Sequence, residues 1–246
     1  MSLYKAFDAR LENPVVLQLQ GVTLRPAFES GLVLQDVDLE LNAGELLTIQ
    51  VDAATRTRSF ASMIQGILHP ESGSVRFLEQ DWQGSDYQRH FWQRSLIGRV
   101  FEGQAWIENL NVDENVTLAA RHHGVQLSDI AFSLQHWCDQ FGVDKLATRR
   151  PAFVAPATLQ IHQWIRAFLG NPKLVILETP LQYLAQNWVK VFLAAVNELL
   201  NRGTAVLWLD SRMDFPFCDV VGQCRHLRVD GAKLKNITAG HGGDNE

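Results

Sequence analysis

Two apolar runs with one amphipathic helix pattern between them constrain the fold of this chain more than any other feature. Leu174-Val175-Ile176-Leu177 and Thr204-Ala205-Val206-Leu207-Trp208-Leu209 leave almost no polar face, and Trp188 to Leu200 has helical spacing. Such strands must be covered on both sides. Strands alternating with helices of this length achieve that as a largely parallel sheet between helical layers. Glu45 to Val51 reads as a further buried strand and Leu159 to Leu169 as a further helix.

The N-terminal part has a different pattern. Val15 to Leu19 and Leu32 to Leu41 read as strands, and the second alternates apolar with polar residues, as a half-buried antiparallel strand does. Phe60, Met63, Ile64, Ile67 and Leu68 predict a helix over Arg58 to Leu68, and Ser74 to Leu78 another short strand. Asp113 to Arg121 and Ile130 to Phe141 predict helices in a middle region. There is no internal repeat. The fold class expected is therefore α/β, one domain over residues 1–236, with a polar tail at 237–246 read as disordered.

Of the 246 residues, 46% are hydrophobic and 20% charged, the balance of an ordinary globular protein. The net charge of −5 argues against nucleic acid as a partner. Cys138, Cys218 and Cys224 form no metal-binding or disulfide spacing, and they are read as buried free thiols. His122-His123 lacks an acidic or sulfur ligand at helical spacing, so no metal is expected. The first fourteen residues lack the apolar core of a signal peptide, and no run approaches the roughly 20 apolar residues that cross a bilayer.

Several segments, in order and at matching separations, resemble the ATP-binding domain of ABC transporters. Leu34-Gln35-Asp36-Val37-Asp38-Leu39 followed by Ala43-Gly44-Glu45 is similar to the entry into that family's phosphate-loop strand. Leu68 to Val75, Ile97 to Phe101, and Asn109 to Val116 resemble the segments that follow the first helix and surround the Q-loop. Arg166 to Leu177 resembles the helix and strand that carry Walker B. The resemblance spans about Val15 to Val229. It implies a P-loop NTPase fold with a mostly parallel core sheet, an antiparallel β subdomain, and a helical subdomain over about 102–158. The Gly103-Gln104-Ala105-Trp106 stretch is similar to ATPases associated with phospholipid trafficking and lipid asymmetry.

At the family's functional positions the residues differ. A phosphate loop needs glycines that turn backbone N–H groups onto phosphate, a lysine for its charge, and a hydroxyl for magnesium. Val51, Ala54 and Arg56 stand at the glycines, Thr57 at the lysine, Arg58 at the hydroxyl, and Ser59 follows. Glu178-Thr179 replaces the Walker B aspartate and catalytic glutamate, and a threonine is no base at neutral pH. Glu102 stands at the Q-loop glutamine and Asp210 at the switch histidine, both adding negative charge beside an anion site. Val154-Ala155-Pro156-Ala157-Thr158 replaces the signature LSGGQ, leaving no serine and no glycine.

The resemblance therefore implies a degenerate subunit, a pseudo-ATPase with no cofactor expected and Mg-ATP at most weakly bound. Arg58 and Glu178 are expected to pair and so replace the metal. Glu102 to Asn115 matches the region by which such subunits dock on a permease. Trp106, Ile107 and Leu110 there are expected as exposed partner anchors, the alternative being that Trp106 and Leu110 pack the domain's own core. Three functions stay open: a non-hydrolysing subunit of a transporter, with phospholipid the cargo that the 103–106 resemblance implies; an ATPase active only with a competent partner; and a regulatory module binding another anion at Arg56 and Arg58. The expected partners are a permease and either a second copy or a competent ATPase, at the cytoplasmic face of a membrane.

Overall fold

The computed structural model describes residues 14–84, 86–103, 105–212 and 223–237. The chain's first thirteen residues, Gln104, Cys218 and the tail beyond Ile237 lie outside them, and so do the readings made there. Among the described residues, β1 (Val15–Leu24), β2 (Leu34–Asn42), β4 (Ser72–Phe77) and β5 (Gln80–Asp81) form an antiparallel sheet in the order β2-β1-β4-β5. A second sheet contains β3 (Glu45–Gln50), β6 (Ile97–Val100), β7 (Leu174–Glu178), β8 (Ala205–Asp210), β9 (Gln223–Asp230) and β10 (Lys233–Asn236). Its order is β10-β9-β3-β8-β7-β6, parallel throughout except for the β9–β10 pair.

Side-chain alternation in the parallel strands divides the interior in two. Leu46, Val100, Val175, Leu177, Val206 and Trp208 pack with α3 (Val112–His122), α4 (Leu127–Gln140), α5 (Pro156–Phe168) and α6 (Trp188–Asn201). Their neighbours Leu47, Ile49, Leu174, Ile176, Leu207 and Leu209 face the other way, onto the antiparallel sheet and α1 (Arg58–Ile64). Strand period two thus sets the side on which every later polar residue lies. Cys138 is buried, Cys224 is half-buried, and both are free.

Two expectations change here. The first helix stops at Ile64 rather than Leu68, and Ile67 and Leu68 are exposed. Gly66 explains the stop: it has φ 64°, and a Cβ there would lie 2.2 Å from the Trp82 ring. A helix unmarked by apolar periodicity also appears, α2 (Tyr87–Ser95), capped by Asp86 accepting from the Arg89 N–H at 2.9 Å. Beside it, Gly98 brings β6 against α5 so closely that a Cβ would sit 1.9 Å from the Ala167 carbonyl oxygen.

Candidate functional site at the ends of the parallel strands

Parallel strands end at one edge of their sheet, and that edge gathers the positions singled out by sequence. β3 leads into the loop 51–57 and α1, β6 into Phe101 and Glu102, while β7 ends on Glu178 and β8 on Asp210. Loops at the carboxyl ends of such strands are where α/β folds place ligands.

The loop turns its N–H groups onto the protein itself. Val51 donates to the Asp210 carbonyl (3.0 Å), Thr55 to the Asp52 carbonyl (2.9 Å) and Arg56 to the Ser30 carbonyl (2.7 Å). Thr57 N–H donates to Glu102 Oε2 at 3.2 Å. Asp52, Ala53 and Ala54 are exposed at the tip. No residue of 51–57 has positive φ, so the alternation of right- and left-handed residues that forms an anion-binding nest is absent from this loop.

Glu178 is fully buried, and each of its oxygens has a partner. Thr57 Oγ1 donates to Oε2 at 2.8 Å, and Arg99 Nε to Oε1 at 2.7 Å. Arg99 is itself buried. Its other donors reach Gln65 Oε1 (2.8 Å), Ser62 Oγ (3.2 Å) and the Arg58 carbonyl (3.2 Å). The pair expected between Arg58 and Glu178 is therefore made by Arg99 instead. Arg58 opens α1 with its side chain in solvent and contributes only its carbonyl, while Ser59 beside it is half-buried. Sequence reasoning missed Arg99, although a charged residue inside the buried strand Ile97-Gly98-Arg99-Val100 signals a buried counter-charge. By alternation it shares a face with Ile97, as Glu178 does with Ile176, on the α1 side.

Glu102 also behaves differently from expectation. Rather than repelling an anion site as a free charge, it accepts from the Arg56 guanidinium at 2.6 Å through its other oxygen. Asp210 is buried beside the loop, accepting from the Arg212 N–H (3.1 Å) and the Trp208 indole (3.4 Å). Burial pushes its carboxyl above the ordinary carboxylate range, against the pull of those bonds. A carboxylate raised in the folded state costs stability only where it ionises. The cost is absent below the unfolded pKa of about 3.9, grows through the folded value, and is complete above it. Asp210→Asn is therefore expected to raise the thermal midpoint at pH 7 and to leave it unchanged below about pH 4, in melts run at both values.

Thr179 follows Glu178 with φ 42°, a left-handed conformation that β-branched residues rarely adopt. Its N–H donates to the Leu209 carbonyl at 2.9 Å and its own carbonyl accepts from Gln182 N–H at 3.1 Å. The signature-equivalent residues lie elsewhere, at the start of α5. Ala155 is an N-cap without a side-chain bond and Pro156 is the first helical residue, both exposed; Val154, Ala157 and Thr158 are half-buried. Thr158 gives its carbonyl to His162 Nδ1 at 2.8 Å.

Of the three residues singled out in 102–115, only Ile107 is exposed; Trp106 and Leu110 are half-buried. Trp106 lies under the Arg166 guanidinium at 4.5 Å and packs against the core. Internal bonds hold Phe101, Gly103, Ala105, Ile107 and Leu110. Gln163 accepts from Phe101 N–H (3.2 Å) and donates to the Gly103 carbonyl (3.3 Å), while Arg166 donates to the Ala105 carbonyl (2.8 Å). Asn115 accepts from Ile107 N–H (2.8 Å) and donates to the Ile107 and Leu110 carbonyls (3.0 and 3.3 Å). Burial among Phe101 and Trp106 pushes the Arg166 pKa down to about 10. No group of His, Cys, Asp or Glu among the described residues is arranged to hold a metal ion.

A mainly parallel sheet whose strand ends meet a loop–helix junction, joined to an antiparallel sheet and a layer of helices, is the arrangement of the P-loop NTPase fold. No family model matches the chain. It is 26% identical over 212 residues to the uncharacterized ABC transporter ATP-binding protein YphE of Escherichia coli strain K12, covering 85% of this chain and 42% of that protein. A second uncharacterized ABC transporter ATP-binding protein, from Alkalihalophilus pseudofirmus, is 28% identical over 72% of this chain and 62% of its own length. The dimeric structure of MJ0796, a bacterial ABC transporter cassette, matches with a TM-score of 0.76 at 17% identity, over 89% of this chain and 97% of that one. Homologues of the chain are ABC transporter ATP-binding proteins, and its fold is that of an ABC ATPase cassette. The chain spans about half the length of these two relatives.

Proposed function

We propose that the chain is a non-hydrolysing cassette of an ABC-type membrane transport complex, docking on a permease subunit rather than powering it. One observation carries this reading: four N–H groups of the loop that would cradle phosphate are committed to protein acceptors, one of them a carboxylate. The residues present do not fit a magnesium–triphosphate. No lysine meets its charge, both oxygens of Glu178 already have donors, and Thr179 offers no general base. The Glu102 carboxylate already takes the Thr57 N–H at the helix start, so an incoming anion would have to displace it.

The docking role rests on Ile107, exposed on a segment whose backbone is held from within. Among the described residues no helix is long and apolar enough to cross a membrane. In this reading the permease holds the cassette at the cytoplasmic face. A phospholipid cargo rests on the likeness of 103–106 alone. A second copy or a competent ATPase is the expected neighbour in the complex.

Equilibrium titration with Mg-ATP, followed by phosphate release, tests the reading. No saturable binding and no release above buffer are expected, since loss of a general base alone removes about 10²–10⁴ of rate. Turnover appearing on addition of a purified partner would replace this reading with that of a partner-dependent ATPase. Saturable binding of a different anion would favour a regulatory module. Against the last stands Arg56, whose guanidinium is already paired with Glu102.

A further inference from the structure

We propose that Arg99 and Glu102 act as a built-in cation and a built-in anion, which lock residues 101–110, at the start of the proposed docking region, in one position independently of any nucleotide. This goes beyond loss of hydrolysis, because an inactive cassette could still have a docking segment that shifts when ligand enters. Two lines of contact run from the strand ends to that segment.

The first passes through charge and aromatic rings. Glu178 holds Arg99, whose guanidinium lies 4.5 Å from the centre of the Phe101 ring. The same ring meets the Arg166 guanidinium at 5.3 Å, and Arg166 in turn covers Trp106 at 4.5 Å. Arg99 also ties in α1 through Ser62, Gln65 and the Arg58 carbonyl. One guanidinium thus joins β6, β7 and α1.

The second passes through Glu102. Its carboxylate accepts from Thr57 N–H and from Arg56, which puts an anion belonging to the protein against the loop. Glu102 is itself part of the segment, so the bond to the loop fixes the segment directly. Gln163 then pins Phe101 and Gly103 on either side of it, and Asn115 pins Ile107 and Leu110. The groups that would respond to a ligand are the groups already satisfied.

Hydrogen exchange on the full chain, read by mass spectrometry over 101–110, tests the lock. The wild-type segment is expected to exchange at the same rate with EDTA, with Mg²⁺ and with excess Mg-ATP. Glu102→Gln weakens the anion and is expected to speed exchange there about tenfold, the equilibrium value of one charge-assisted bond. Arg99→Met is expected to speed it at least as much, and Arg58→Ala, which leaves the carbonyl in place, not at all.

Unchanged exchange over 101–110 in Glu102→Gln and Arg99→Met would overturn the lock, as would slowing of the wild-type segment by Mg-ATP. If Arg99→Met fails to fold, Glu102→Gln decides. Phosphate release by the wild type would count against the non-hydrolysing reading only, and leaves the exchange result to stand or fall separately.

Discussion

Arg99→Met is expected to cost the fold about 3–5 kcal/mol at neutral pH, the range for leaving one member of a buried ion pair without its partner. The size follows from burial. Glu178 is fully excluded from solvent and Arg99 nearly so, with a 2.7 Å bond between them. Methionine keeps most of the length and apolar stem of arginine, so the loss is chiefly electrostatic. Glu178 would retain one hydrogen bond, from Thr57 Oγ1, and no counter-charge. Urea denaturation in both backgrounds measures the cost.

The double variant Arg99→Met/Glu178→Met separates pair from packing. Removing both charges is expected to recover part of the loss, because a buried pair replaced by apolar residues of similar volume is often neutral. Recovery stays partial since Ser62, Gln65 and Thr57 lose bonds they make now. A coupling energy near zero in this cycle would mean that Arg99 and Glu178 contribute independently, contrary to the geometry.

The same two residues show what the sequence made legible. The parallel sheet could be read from Leu174 to Leu177 and from Thr204 to Leu209, because strands buried on both faces have no polar alternation to blur them. α2 could not, since its buried residues are His90 and Gln93 and its aromatic side chains Tyr87, Phe91 and Trp92 are exposed. β9 and β10 were also unmarked; β9 carries Arg225, His226 and Arg228 beside a single well-buried Leu227. The loop, Glu178, Glu102 and Asp210, singled out along the chain, lie together at one edge of the sheet. Their partners were not legible in the same way. Arg58 is the nearer candidate to Glu178 by alignment, yet it begins a helix and points to solvent, whereas strand parity turns Arg99 onto the α1 face. Pairing depends on which face a side chain takes, and that requires the sheet register.

Trp164→Ala is expected to be as damaging, about 3–5 kcal/mol, and through a different mechanism. The indole is wholly buried on α5, with ring centres 4.5 Å from Phe192 and 5.2 Å from Phe141. Its Nε1 donates to the Pro180 carbonyl at 2.9 Å, which ties the helix that follows the signature-equivalent residues to the turn that follows Glu178. That turn holds Thr179 at positive φ, a conformation that costs about 1–3 kcal/mol and persists only while its surroundings enforce it. Alanine removes ring volume and anchor together. Trp164→Phe keeps most of the ring and loses the bond, and is expected to cost about 1–3 kcal/mol, the penalty of an unsatisfied buried acceptor. Denaturant melts followed by far-ultraviolet circular dichroism report both values. Phenylalanine costing as much as alanine would assign the effect to the Pro180 anchor, and phenylalanine costing almost nothing would assign it to aromatic packing between α5 and α6.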